Sequence, residues 1–158
     1  VALESKDKPV VIALTRQNVP NLKETECITD ISKGAYVVKD SENPDLVLIA
    51  TGSEVSLALD TAKALEEDGR SIKVVSMPSM ELFRAQDEDY RNQVIDKKVK
   101  KVSIEMGTTF GWTEWTGTCG LNIGIDRFGI SGKGDEVQEE LGFTVEKIKK
   151  QIDDKFFK

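Results

Sequence analysis

The sequence predicts an α/β fold, three layers deep as α/β/α, around a mostly parallel five-stranded mixed sheet. Two observations carry that class. An apolar run at 46–51 leads at once into a stretch of 3.6-residue period and then into a second apolar run at 72–76. A strand, helix and strand so spaced pair parallel through a right-handed crossover. Short apolar runs at 34–39, 102–105 and 123–126, each bounded by turn residues, supply the other three strands. The chain has 158 residues, 39% hydrophobic and 32% charged, enough to bury such a sheet without disulfide or metal support.

Residues 9–16 are an apolar run that opens at Pro9 and reads as a buried strand ending in Arg16. Residues 19–33 lack a sustained period and carry Pro20 and Asn21, which marks a connecting segment, so a domain boundary is placed near 20–32. After the strand at 34–39, the cluster from Asp40 to Asp45 supplies turn chemistry. Ser53 is positioned to cap the helix whose apolar residues are Val55, Ala58, Leu59, Ala62 and Leu65, and Asp68-Gly69 stops it. Pro78 breaks the strand at 72–76 and leads to a short helix over 78–84, followed by a charged helix over 87–95. A helix is expected near 135–141. Phe143 or Thr144 opens a last one, with Val145, Ile148, Ile152 and Phe156 as its buried stripe.

Composition removes several kinds of chemistry. The chain has no histidine, so Ser-His-Asp triads, Cys-His dyads and HExxH zinc sites are out for this chain alone. Cys27 and Cys119 form no CxxC and read as two buried thiols of a reducing compartment. A net charge of −6 disfavours nucleic acid and anionic lipid as partners. No apolar run approaches the ~20 residues of a membrane span. A soluble, cytoplasmic protein is expected, and one that opens on Val1 is expected to be a piece of something longer.

Ligands of open α/β sheets bind beyond the carboxyl ends of the strands. Thr51-Gly52-Ser53-Glu54 offers amides at a helix start but matches no nucleotide fingerprint, so a tight turn is the plainer reading. Glu105 and Asp126, at two strand ends, admit a general acid and base pair, although capping of the following loops is preferred, with Glu105 on amides near Met106-Gly107-Thr108. The glycine-dense loop 129–134 holds Lys133 but reads as a connector. Trp112 and Trp115 share a helical face and suit either stacking on a base or sugar, or core and subunit-contact burial, the latter being expected. Lys97-Lys98-Val99-Lys100-Lys101 admits an anion or nucleic-acid patch. With no interleaved aromatics in an acidic chain, it reads as a solvated approach to a strand. In Thr15-Arg16-Gln17-Asn18, the planar fork of Arg16 suits a phosphate or carboxylate.

Taken in order, the motifs resemble the carboxyl-terminal part of the transketolases. The resemblance rests on Lys6-Asp7-Lys8-Pro9, Leu14-Thr15-Arg16-Gln17-Asn18-Val19-Pro20, Lys33-Gly34-Ala35-Tyr36-Val37-Val38 and Ile49-Ala50-Thr51-Gly52-Ser53-Glu54-Val55. It continues through Val74-Val75-Ser76-Met77-Pro78-Ser79, Phe110-Gly111-Trp112, Asp126-Arg127-Phe128-Gly129 and Gly142-Phe143-Thr144. Where the family shows Phe-Gly-Ala-Ser-Ala-Pro-Gly, this chain departs at 128–134. The resemblance implies that residues 1–20 are the tail of a pyrimidine-binding domain, 21–32 a linker and 33–158 the carboxyl-terminal domain. It implies transfer of a two-carbon ketol unit between ketose and aldose phosphates in the pentose phosphate pathway, with thiamine diphosphate as electron sink and a divalent metal, Mg or Ca, in a full-length homodimer. No catalytic, cofactor or metal residue is carried over to this chain. Arg16 matches the arginine that grips the sugar phosphate, binding energy used for orientation.

Two further expectations accompany the resemblance. The chain alone is inactive and structural, and its first 20 or so residues, parted from their own sheet, are disordered or pair with a borrowed edge. The alternative functions are a free-standing α/β module for a phosphorylated ligand, using the turn at 51–55 or the glycine loop, and the terminal domain of another thiamine-diphosphate enzyme.

Overall fold

A computed structural model describes residues 1–15, 17–26, 28 and 31–158, so Arg16 and Cys27 lie outside the described residues. The strands are β1 (Tyr36–Lys39), β2 (Leu46–Ala50), β3 (Ile72–Ser76), β4 (Lys100–Ile104) and β5 (Leu121–Ile123). The helices are α1 (Glu54–Glu66), α2 (Met80–Arg84), α3 (Glu88–Val94), α4 (Thr113–Thr116), α5 (Gly134–Leu141) and α6 (Val145–Phe156). The sheet runs β1-β3-β2-β4-β5. β1 is antiparallel to β3 and the other three pairings are parallel, the mixed and mostly parallel arrangement expected.

Alternation along β2 divides the core into two faces. Leu46, Leu48 and Ala50 point to one side, where Ala58, Ala62 and Leu65 of α1 meet Ile148 and Ile152 of α6. Val47 and Ile49 point to the other, against Phe83 of α2, Val94 of α3 and Trp112. Because helices cover both faces, all five residues of β2 are buried and the strand reads as a continuous apolar run rather than an alternating one.

Local chemistry sets most helix ends. Ser79, Asp87 and Thr144 accept from the amides of Leu82, Tyr90 and Lys147 and start α2, α3 and α6. α1 starts otherwise. Ser53 is itself helical, at φ −64° and ψ −26°, so its hydroxyl does not cap the first turn; it donates to Glu54 Oε1 at 2.7 Å. The turn is closed instead by the amides of Glu54 and Val55 on the carbonyls of Thr51 and Gly52. Beyond α1, Gly69 takes φ +81°, a left-handed conformation that suits a residue with no Cβ.

Four further expectations fail, each for a physical reason. Described residues 9–15 form no strand, and Val11, Ile12 and Leu14 are exposed, because neither edge of the sheet pairs with them. The segment thus stays out of the domain's own sheet. β5 occupies Leu121–Ile123 rather than 123–126, since its register opposite Val102–Ile104 ends where Gly124 leaves the ladder. β4 begins at Lys100 rather than at 102 and takes in the last two residues of the lysine run, because Lys100 and Lys101 pair opposite Leu46 and Val47. Cys119 is exposed rather than buried, on the loop between α4 and β5.

Candidate functional site at the carboxyl ends of the strands

Beyond the carboxyl ends of β2 and β4, the start of α1 and the turn at Met106 face residues 17–20. A cavity of about 220 Å³ lies between them, lined among others by Gln17, Asn18, Ser53, Glu54 and Met106. Of the Thr15-Arg16-Gln17-Asn18 motif, the two amide side chains are therefore brought to the strand ends. Thr15 Oγ1 accepts from the Gln17 amide at 3.3 Å, and Arg16 lies outside the described residues.

Glu54 is the buried acid of this site, at 6% exposure. Its Oε1 accepts from Ser53 Oγ, and its Oε2 accepts from the Met106 amide at 3.2 Å. Burial pushes its carboxyl above the ordinary glutamate value; the two hydrogen bonds oppose that shift, and the nearby charge of Glu105 adds to it. The side chain thereby ties the start of α1 to the loop after β4.

Glu105 and Asp126 are each engaged elsewhere and share no hydrogen bond. Glu105 Oε2 accepts the indole N–H of Trp112 at 2.6 Å. Asp126 accepts from Thr109 Oγ1 at 2.6 Å, from the Thr109 amide at 2.9 Å and from Thr108 Oγ1 at 3.0 Å. The Thr109 bonds, hydroxyl first, and then Thr108 hold its carboxyl below the usual aspartate value. Loop capping falls to Asp126 and Glu54. Glu105 does not bind the amides near Met106 expected of it, because Glu54 reaches the Met106 amide first.

The remaining candidates resolve into structure. Trp112 is 2% exposed, and Trp115 packs on Phe83 with ring centroids 5.0 Å apart, so both belong to the core on the α2 and α3 side. The loop 129–134 is exposed, and Lys133 forms an ion pair with Glu136 at 3.8 Å beside the start of α5. Among the described residues no group of three or more His, Cys, Asp or Glu side chains is placed to hold a metal ion. None of their helices is long and apolar enough to cross a membrane. Sequence reasoning misses the Glu54 bridge, whose partner lies 52 residues away. It also misses buried Lys101, which it reads as part of a solvated lysine approach to the strand at 102–105.

The model of the family described as the transketolase-like C-terminal domain matches residues 34–144. The chain is 48% identical over 156 residues to the transketolase of Staphylococcus aureus strain MW2 and 44% identical over 157 residues to that of Bacillus subtilis strain 168. Each match covers 96% of this chain and 24% of the relative, so the chain spans about a quarter of their length. Among solved structures, Pichia stipitis transketolase in complex with sedoheptulose 7-phosphate superposes with a TM-score of 0.83 at 38% identity, covering 89% of this chain and 20% of that one.

Proposed function

The chain belongs to the transketolase family, whose carboxyl-terminal domain it matches, and on that premise we propose that it is the carboxyl-terminal part of an enzyme transferring a two-carbon ketol unit between ketose and aldose phosphates. The observation that carries this reading is identity of 44–48% sustained over 96% of the chain. A free-standing phosphate-binding module is not favoured, since such a module has no reason to preserve that match from end to end. In this reading residues 1–20 are the tail of the pyrimidine-binding domain, 21–32 the linker and 33–158 the carboxyl-terminal domain. The parent is a cytoplasmic homodimer.

The residues of this chain do not fit thiamine diphosphate or its metal. There is no histidine in the sequence, and the strand-end carboxylates Glu54, Glu105 and Asp126 each already hold donors of their own. Both groups are assigned to parts of the parent outside this chain.

What the chain contributes to the reaction is Arg16, gripping the phosphate of the sugar. A guanidinium binds a phosphate through two parallel hydrogen bonds. A phosphate fixed at the far end of the sugar restricts how the carbonyl presents itself. Gln17 and Asn18, which line the same cavity as Ser53 and Glu54, support that role by placing the motif at the carboxyl ends of the strands.

The test is the parent enzyme assayed with Arg16 intact and with Arg16→Ala. A charge-assisted contact of about 1.5–3 kcal/mol predicts a fall of roughly one to two powers of ten in kcat/KM, carried mainly by KM for phosphorylated sugars. Unchanged KM for those sugars sinks the role of Arg16. A parent without ketol transfer sinks the reading of the chain.

A further inference from the structure

At the opposite end of β4 from the Glu54 cavity lies a groove of about 530 Å³, framed by five lysines: Lys97, Lys98, Lys100, Lys101 and Lys155. Its one acidic side chain, Glu114, is held by Arg84 through two bonds of 2.6 and 2.7 Å, which leaves the groove strongly positive in a protein of net charge −6. Low-dielectric walls focus such a field and concentrate anions within it.

Three details make this more than a scatter of surface lysines. Lys101 is only 8% exposed; its Nζ donates to the carbonyls of Asp96, Lys97 and Val99, and no carboxylate among the described residues pairs with it at salt-bridge distance. Burial disfavours this charge, while the three carbonyls and the nearby Asp96 hold it, so Lys101 keeps a fixed ammonium beneath the groove. The indole N–H of Trp115, in the groove wall, is buried with no acceptor among the described residues. Of the groove's lysines only Lys97 is held in an ion pair with a carboxylate among the described residues, which favours a ligand rich in acceptor oxygens. Finally, the fold brings in the aromatics that the lysine run itself lacks. Trp115 and Phe156 flank it, and Lys100 Nζ donates to the Phe156 carbonyl at 3.2 Å while sitting 4.9 Å from the Phe157 ring centroid.

We propose that this groove binds a small polyanion carrying two or more phosphate groups, with Lys98, Lys100 and Lys155 as its direct contacts and Lys101 as the fixed charge behind them. One phosphate is too small for a groove of this volume and engages too few of its cations. Lys97, paired with Glu88 at 2.5 Å, stands at the rim. The site shares no residue with the Glu54 cavity and does not rest on the ketol-transfer reading.

The test titrates the chain with inorganic tripolyphosphate and, in a second arm, with ATP, following tryptophan fluorescence and heat at low and high salt. In a Cys27→Ser background, alkylation of exposed Cys119, which also lines the groove, reports occupancy directly. Saturable binding at one site is expected, weakening as salt rises, with Cys119 alkylation slowed. Lys98→Gln with Lys155→Gln should weaken binding by roughly tenfold or more, two charge-assisted contacts being lost. Lys63→Gln, on exposed α1 surface, should leave it unchanged. Equal affinity for both probes means that the phosphate chain alone is recognised; tighter ATP means that Trp115 and Phe156 also receive a ring. Absence of saturable binding, unaltered binding in the double lysine variant or equal loss in Lys63→Gln overturns the proposal.

Discussion

Gly34 shows how much one missing carbon sets. Its φ is +87°, and a Cβ built there would sit inside contact distance of the Phe83 amide and the Ser79 carbonyl, both backbone atoms of α2 or its cap. Its own carbonyl accepts from the Ser79 amide at 3.0 Å. Gly34→Ala therefore combines left-handed strain with a clash that no rotamer relieves, and should cost at least about 2 kcal/mol in urea unfolding. Glu54 carries a pH dependence instead. With its folded pKa raised by burial, the native state binds a proton more readily than the unfolded chain. Its stabilising contribution is present below the ordinary glutamate value and is lost as pH rises through the raised one. Relative to Glu54→Gln, the parent chain should lose stability over that interval in pH-resolved melts; a flat difference would show that Glu54 is not held in the buried site. Trp112→Phe trades the buried indole for a single ring and deletes the bond to Glu105, so at least about 1.5–3 kcal/mol should be lost, the void adding to the missing bond. These side chains are individually visible in the sequence, but their partners are not. Glu54 meets Met106 and Asp126 meets Thr109 only after strands distant in the chain have lined up, so the candidate acid and base pair reads plausibly and dissolves on folding.

At the scale of elements, local period decides what is legible. The 13 residues of α1 and the 12 of α6 repeat their apolar positions often enough to declare a buried face. Ile148 and Ile152, expected in the stripe of α6, are both fully buried against α1 and the sheet. Ile148→Ala should cost about 2–5 kcal/mol of unfolding free energy, with the larger value if α1 cannot settle into the gap. α4 has four residues, about one turn, and so has no period to read. β5 has three, and its position is fixed by pairing with β4 rather than by its own side chains. Lys101 misleads for a related reason. A lysine in a charged run before a strand reads as solvated until three carbonyls of the preceding turn converge on its ammonium. Lys101→Met leaves those carbonyls without their donor and should destabilise the chain by about 1–3 kcal/mol, with the loss of amide protection centred on residues 96–99.

The whole molecule divides into a packed sheet and an apolar strip outside it. Val11 is 91% exposed and Leu14 82% exposed, in a segment whose sequence reads as a buried strand. That contrast follows from what a strand is. Apolar patterning states that a segment is fit for burial, while burial itself needs a neighbour with a free edge. Contiguous exposed apolar side chains promote association between molecules. Val11→Lys with Leu14→Lys should therefore lower the concentration-dependent association of this chain in sedimentation velocity while leaving its melting temperature nearly unchanged. A melting temperature that falls sharply would instead mean that the segment packs on the domain in solution.

The sheet order also sets a clock. β2 is the most thoroughly buried strand, yet both of its neighbours, β3 and β4, come later in the chain. At roughly 5–20 residues per second, a ribosome that has finished Ala50 needs about 1–5 s to add residues 51–76 and complete the first of them. During synthesis the five residues Leu46–Ala50 are thus an uncovered apolar ribbon. A nascent chain whose α1 has cleared the exit tunnel while β3 and β4 remain inside it should recruit a chaperone, and one whose β4 has also cleared the tunnel should release it.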